Sequence, residues 1–317
     1  MPELRRLGRS DLSTPRLVLG GNVFGWTADA ATSFRTLDRF AEAGGLMIDT
    51  ADVYSAWVEG HRGGESETII GEWIRRRGGT RGVLIATKVG MLPGEGGEKL
   101  APARIAAAAE ASLKRLGVDT IDLYYAHQDD PETPIDDVLQ VFDALVRDGK
   151  VRTLGASNFT AERLEESLAA ASRLGTARYE VLQPEYHLMA REDVERALQP
   201  LCVSEDISIL PYYGLASGFL TGKYRRREDF GQSVRGGRME RFWNARGFAV
   251  LEALDAVAAE ARATPAQVAL AWLAAQPAVA APIASARTPE QLEELLPAMT
   301  LELTADQRAR LDAASRS

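Results

Sequence analysis

A lysine interrupts the apolar run IATKVG (85–90). An unpaired ammonium is costly to take out of water, so Lys88 needs a carboxylate nearby. Asp49, in IDTADVY (48–54), can supply it, and Tyr54 follows five residues later in the same stretch. A free tyrosine titrates near 10 and is a weak acid or base at neutrality. A cation beside it favours tyrosinate and lowers that value. Asp49, Lys88 and Tyr54 therefore combine into a phenol suited to proton donation, with Asp49 orienting Lys88 and balancing its charge. His127, which ends IDLYYAH (121–127), adds a hydrogen-bonding group for a substrate oxygen. Singly, the Asp–Lys pair reads equally as an internal salt bridge and His127 as a satisfied core histidine. Together, at or near the ends of three successive apolar runs, they read as a site.

Those runs belong to a longer series. RLVLGG (16–21), LMIDT (46–50), VLIATKV (83–89) and IDLYYAH (121–127) are short, branched and apolar. VRTLGAS (151–157), YEVLQPE (179–185), ISILPYY (207–213) and AVAAPIAS (278–285) continue it. Such runs predict strands buried on both faces. Amphipathic helical stretches fall between them, at 33–44, 66–77, 103–117, 135–150, 160–175, 191–205 and 247–262. Glycine stops follow at Gly44, Gly117 and Gly175, and Thr160 is placed to cap. Serial βα units imply parallel strands with right-handed crossovers. Eight of them predict an α/β fold, a (β/α)8 TIM barrel forming a single domain over 1–317, with extra helices near the C-terminus. A doubly wound sheet would want a glycine-rich phosphate loop directly after the first strand. Here Asn22-Val23-Phe24-Gly25-Trp26 follows Gly20-Gly21, and the next helix waits until about residue 33. In a barrel the C-terminal strand ends form the active face. That adds Ser157-Asn158, Gln183 and Tyr212-Tyr213 to the polar residues already named.

Two segments break the rhythm. RRLGRSDL, within 1–14, predicts a short hairpin plugging the bottom of the barrel. Residues 223–246 form a long polar insertion containing Gly231, Gly236 and Gly237 together with Phe242 and Trp243. It reads either as a surface loop or as a segment that orders around substrate, with its two large aromatics burying against something.

Composition narrows the function class. The chain has 317 residues, 45% hydrophobic and 26% charged, with a formal charge of -8. That balance argues against nucleic acid as the main partner. A lone cysteine, Cys202, excludes a disulfide framework and a Cys-based metal cluster, and His61, His127 and His187 lack ligand spacing, so no metal is expected. No apolar run approaches the roughly 20 residues of a membrane span, and MPELRRLGRSDL lacks a signal-peptide core. The expectation is a cytoplasmic protein acting on a small molecule, with no obligate protein partner.

The ordered blocks carry a resemblance. IDTADVYS (48–55), GESETIIG (64–71), IATKVG, DLYYAHQDD (122–130), LGASNF (154–159), VLQPEYHL (181–188) and PYYGLASGFLTGKY (211–224) resemble, in order, the signature blocks of the aldo-keto reductase superfamily. The resemblance implies that Tyr54 is the general acid, with Asp49, Lys88 and His127 completing a tetrad. It implies that Ser157, Asn158 and Gln183 bind the nicotinamide carboxamide, and that Tyr212 stacks on the ring. Leu215, Ser217 and Gly218 would approach the pyrophosphate, with Lys223 closing that block. PIASARTPEQLEEL (282–295) is similar to the segment that grips the adenosine 2'-phosphate. Ser285 and Arg287 would meet the phosphate, and Gln291 and Glu294 the ribose or adenine. Ser55, Tyr213, Gly214, His187 and Leu295 depart from the usual residues and leave the tetrad intact.

The implied reaction is reduction of an aldehyde or ketone with a hydride from NADPH. The cofactor preference rests on the guanidinium of Arg287 beside Ser285, just ahead of TPEQ. Trp26, Trp57, Phe242 and Trp243 are expected around the small-molecule carbonyl substrate. Two other readings compete: a Schiff-base aldolase using Lys88, and a cofactor-sensing interaction protein with weak turnover.

Overall fold

A computed structural model of the chain describes residues 3–316. It opens with two short antiparallel strands, β1 (Arg5–Arg6) and β2 (Ser13–Thr14). Eight parallel strands follow: β3 (Val18–Gly20), β4 (Met47–Asp49), β5 (Leu84–Val89), β6 (Ile121–Ala126), β7 (Val151–Ser157), β8 (Tyr179–Gln183), β9 (Ser208–Ile209) and β10 (Ile283–Ala284). They lie side by side in the order β10-β3-β4-β5-β6-β7-β8-β9. The ring closes because the segment leading into β10 also hydrogen-bonds to β9. The Ile209 amide donates to the Ala278 carbonyl at 2.7 Å, and the Ala280 amide to the Ile209 carbonyl at 3.0 Å. All eight apolar runs form strands, and the molecule is a (β/α)8 barrel.

Helices α1 (Ala30–Glu42), α2 (Glu65–Arg77), α3 (Pro102–Leu116), α4 (Ile135–Arg147) and α5 (Ala161–Leu174) separate the first six barrel strands. The first begins three residues ahead of the pattern-based start. Asp29 caps it, its carboxylate accepting from the Thr32 amide at 2.7 Å. Thr160 caps α5, and α3 stops at Gly117 with φ 67°. The stretch 191–205 is not one regular helix. A π-helical turn over Val194–Leu198 runs into α6 (Gln199–Glu205). Pro200 has no N–H to give to the carbonyl four residues back, and the helix widens ahead of it. Helices α7 (Ala245–Ala261) and α8 (Pro265–Ala274) lead to β10, then α9 (Pro289–Leu295) and α10 (Ala305–Ser315) end the chain. Of these, α7 and α10 are additional to the repeating units.

The barrel interior is filled by Val18, Met47, Ala86, Leu123, Tyr125, Val181 and Leu210. Leu7 and Leu12 of the hairpin, both essentially buried, join that cluster. The hairpin is also tied down by the Gly8 amide, which donates to Ser208 Oγ at 2.8 Å. It therefore closes the end of the barrel opposite the strand C-termini. Leu12→Ala is expected to destabilise the fold by about 2–5 kcal/mol through lost burial and the cavity left behind. A urea midpoint equal to the parent's would show that the hairpin is not part of this core.

Candidate active site

The parallel register brings the polar strand ends to one face. Gly20 pairs with Asp49, Asp49 with Ala86, Lys88 with Tyr125, and Ser157 with Gln183. The His127 amide continues the ladder, donating to the Val89 carbonyl at 2.8 Å. Asp49, Lys88 and His127 thus converge from three adjacent strands, and Tyr54 reaches over them from the β4–α2 loop.

Lys88 is completely buried. Its Nζ donates to Asp49 Oδ2 at 2.6 Å, to the Thr50 carbonyl at 2.7 Å, and at 3.4 Å to Tyr54 Oη. Gln183 Nε2 donates to the other Asp49 oxygen at 2.9 Å. Asp49 therefore has both oxygens occupied and cannot swing away from Lys88. The Tyr54 and His127 rings stand edge to face at 6.0 Å. Burial works against the Lys88 charge, but Asp49 and Tyr54 outweigh it, so its pKa is raised and it stays an ammonium. Burial, reinforced by Lys88, holds His127 well below the ordinary histidine value, so it is a neutral imidazole. His127 Nδ1 is buried without a hydrogen-bond partner. A bare acceptor is cheaper there than a bare donor, which favours the proton on Nε2.

One sequence expectation is corrected in sign. Lys88 does pull the Tyr54 pKa down, but burial pushes it up by more, and the net shift is upward. Tyr54 is a firmly protonated phenol, and the role of Lys88 is to limit a rise that burial imposes.

A cavity of about 880 Å³ opens above these residues. Ser157, Asn158, Gln183 and Tyr212 form part of its wall. Tyr212 Oη donates to Asn158 Oδ1 at 2.8 Å, and Asn158 Nδ2 donates to the His127 carbonyl at 2.8 Å. Ser157 Oγ donates to the Gln183 carbonyl at 2.8 Å. Leu215, Ser217, Gly218, Lys223, Ser285, Arg287, Gln291 and Glu294 also line the cavity. Ser217, at φ 58°, holds a buried hydroxyl with no partner. Ser285 Oγ donates to Asn22 Oδ1 at 2.7 Å, and Gln291 Oε1 accepts from the Arg287 amide at 3.0 Å.

Trp26 and Trp57 also line the cavity, edge to face at 5.5 Å, and Trp57 meets Tyr54 at 5.7 Å. Phe242 and Trp243 do not join them, contrary to the sequence expectation. Phe242 is buried against Phe219 at 5.3 Å and His187 at 5.8 Å. Trp243 packs on Phe230 at 5.1 Å and Phe248 at 4.8 Å. These rings anchor the insertion, which folds into two 3-10 helices, Arg227–Gln232 and Gly236–Phe242. The turn between the two helices supplies Ser233, Val234 and Arg235 to the cavity, and the second helix supplies Arg238. Sequence reading misses Arg235 and Arg238. The only signal for them is the arginine density of the insertion, which does not say which guanidinium groups face inward.

The charges of that region are unequal. Arg225, Arg227 and Arg241 pair with Asp255, Glu240 and Glu185. Among the described residues, Lys223, Arg235, Arg238 and Arg287 have no carboxylate partner, and all four line the cavity. Arg235 lies over the Trp26 ring at 5.4 Å. Burial, with Arg238 and Arg287 nearby, lowers its pKa, a cost that a bound anion would relieve. No group of three or more potential metal ligands occurs among the described residues, and no helix there is long and apolar enough to cross a membrane.

This arrangement offers a half-buried proton donor beside a fixed cation, in a cavity that is also lined by four cations without a carboxylate partner. Known proteins are similar to this chain in sequence. Residues 16–316 match the model of the Aldo/keto reductase family. An uncharacterized oxidoreductase, YrpG of Bacillus subtilis, is 33% identical over 95% of this chain and 92% of its own length. A probable voltage-gated potassium channel subunit beta of Arabidopsis thaliana is 31% identical over 94% of this chain and 91% of its own. The aldo-keto reductase yakc [NADP(+)] of Schizosaccharomyces pombe is 31% identical over 84% and 78%. The chain belongs to the aldo/keto reductase family and is an NAD(P)H-dependent oxidoreductase.

Proposed function

We propose that this protein reduces an aldehyde or ketone to an alcohol using NADPH, with Tyr54 as the general acid. The observation that carries the reading is the Tyr54 phenol held beside a fully buried Lys88–Asp49 pair at the floor of the cavity. When bound, the nicotinamide supplies a hydride to the carbonyl carbon. Tyr54 and His127 hold the carbonyl oxygen and polarise it. As negative charge develops on that oxygen, Tyr54 delivers its proton, and Lys88 stabilises the charge left on the phenol. Gln183 and Lys88 keep Asp49 in place through the step. Ser157, Asn158 and Gln183 would hold the carboxamide, and Tyr212 would lie against the nicotinamide ring.

The unpartnered Ser217 hydroxyl and the four unpaired cations fit a dinucleotide phosphate ligand. Leu215, Ser217, Gly218 and Lys223 would take the pyrophosphate. Ser285 and Arg287 would take the 2'-phosphate, with Gln291 and Glu294 at the ribose or adenine. The NADP(+) in the name of the fission-yeast relative favours the same choice. The whole chain acts in this scheme as one barrel unit on a small-molecule carbonyl. The cytoplasm suits it, because the buried Cys202 thiol, pushed up to about 12 by burial, needs no oxidising compartment.

The Schiff-base reading fits less well, because a Lys88 held as an ammonium is not a nucleophile. The cofactor-sensing reading draws only on the channel-subunit relative. NADPH oxidation across a panel of carbonyl compounds separates it, since such a protein would bind NADPH and turn nothing over.

Arg287→Ala tests the cofactor assignment. The 2'-phosphate is what distinguishes NADPH from NADH, and a hydrogen bond to a charged group contributes roughly 1.5–3 kcal/mol. NADPH affinity is expected to fall about ten- to a hundredfold, with NADH little changed. Both dissociation constants are measurable by tryptophan fluorescence quenching. Equal losses for the two cofactors would assign Arg287 to the fold or the adenine instead.

A further inference from the structure

Beneath the Tyr54 loop lie two ion pairs on buried carboxylates that the proton chemistry does not use. Both guanidinium groups come from α3. Arg104 donates through Nη2 to Asp52 Oδ2 at 3.0 Å and through Nε to the Leu92 carbonyl at 3.0 Å. Its Nη1 reaches the Glu95 carbonyl at 3.4 Å. Arg115 donates to Glu67 Oε2 at 2.6 Å, and the other Glu67 oxygen accepts from Thr87 Oγ1 at 2.6 Å. Asp52, Glu67 and Thr87 are fully buried, and Arg104 nearly so.

The connections are specific. Asp52 lies two residues before Tyr54, and its amide donates to the Lys88 carbonyl at 3.2 Å. Leu92 and Glu95 belong to the β5–α3 segment, which carries Met91 to the cavity wall. That segment contains Gly90, Gly94, Gly96 and Gly97, three of them at positive φ, so its own backbone preference is weak. A Cβ on Gly94 would stand 3.0 Å from Arg104 Nη1, so the segment wraps closely around this one side chain.

We propose that Asp52 and Arg104 are positioning residues: the pair fastens the loop bearing Tyr54 to the segment bearing Met91 and so holds the phenol in reach of Lys88. The inference rests on Tyr54 being the proton donor. The charged and titratable groups facing Asp52 are Glu67 from α2, Arg104 and Arg115 from α3, and Tyr124 from β6. Burial and the Glu67 charge outweigh the two arginines, and the Asp52 carboxyl is pushed up to about 7. Below that pH the carboxyl is neutral and the charge-assisted bond to Arg104 weakens. As pH rises through it, Asp52 ionises and the brace tightens. The turnover number therefore carries an acid limb near neutrality that belongs to Asp52.

The test compares Asp52→Asn, Arg104→Met and the double variant. At pH 8, each single change is expected to lower kcat by about 10- to 100-fold, as for a sub-ångström to ångström misplacement of a reacting group. NADPH affinity and carbonyl KM stay within about twofold, which general destabilisation would not produce. Asp52→Asn also removes the acid limb. The double variant is no worse than the worse single, because both break the same brace. Should Arg104→Met fail to fold, Arg104→Lys, which keeps the cation and loses the fork, gives an intermediate kcat. Hydrogen exchange at residues 53–64 and 91–98 accelerates in the variants while β6 and β7 keep their protection. That arm needs no turnover, so it tests the brace even if Tyr54→Phe remains active and the proton-donor assignment fails. An Asp52→Asn enzyme with parental kcat and an intact acid limb, or effects that multiply in the double variant, overturns the proposal.

Discussion

Tyr54→Phe is expected to abolish carbonyl reduction while leaving NADPH binding nearly unchanged. Loss of a general acid lowers rates by roughly 10²- to 10⁴-fold. The ring stays in place, so its edge contacts to Trp57 and His127 survive, and the only atom removed is the hydroxyl that meets Lys88 Nζ at 3.4 Å. The variant should fold and bind cofactor as the parent does, which makes kcat/KM on any accepted aldehyde the informative number. Retention of more than about a tenth of parental kcat/KM would remove Tyr54 from the proton-transfer role. His127, a neutral imidazole on the same cavity wall, would then be the remaining candidate for polarising the carbonyl.

Lys88→Met is expected to be almost as damaging, by a different route. With the cation gone, nothing offsets the effect of burial on Tyr54, and its pKa rises further. A phenol with a higher pKa is a poorer donor during reduction. In alcohol oxidation, where tyrosinate must act as the base, the limb that rises with pH should move to higher pH. Stability falls as well, because Asp49 would remain nine-tenths buried or more with no counter-ion. Breaking a buried pair from one side costs about 3–5 kcal/mol. Combining Lys88→Met with Asp49→Asn separates the two effects: melting temperature should recover, and turnover should not. A Lys88→Met enzyme whose oxidation profile keeps its parental pH limb would show that Lys88 serves the fold alone.

Much of this site is legible in the chain because a parallel barrel makes unusual residues conspicuous. Strands buried on both faces must be apolar, so Lys88 within β5 and Asp49 at the end of β4 demand each other on sequence grounds alone. The ladder pairs in sequence order, so three successive runs must deliver their ends to one face. The insertion has no such rule. An aromatic residue in a polar loop has the same composition signal whether it faces a cavity or a core. Composition therefore points Phe242 and Trp243 toward substrate, although they pack against Phe219, His187, Phe230 and Phe248. Arg235 is the converse case: one arginine among many in the chain, singled out only by its place over Trp26 and its lack of a carboxylate.

The amino-acid sequence by itself determined the order of the βα units, the closing hairpin, and the meeting of Asp49, Lys88, Tyr54 and His127, because these follow from local pattern and from the one way parallel strands can be joined. Tertiary structure alone decided the balance of opposing effects at a point. The Tyr54 pKa moves up because burial by wall residues drawn from several loops exceeds the pull of the single cation beside it. The Asp52 carboxyl is pushed up to about 7 because burial and the charge of Glu67, 15 positions away, outweigh the pull of Arg104, 52 positions away, in the same dry space. Desolvation and charge depend on every neighbour within a few ångströms, and those neighbours come from parts of the chain that no local pattern relates.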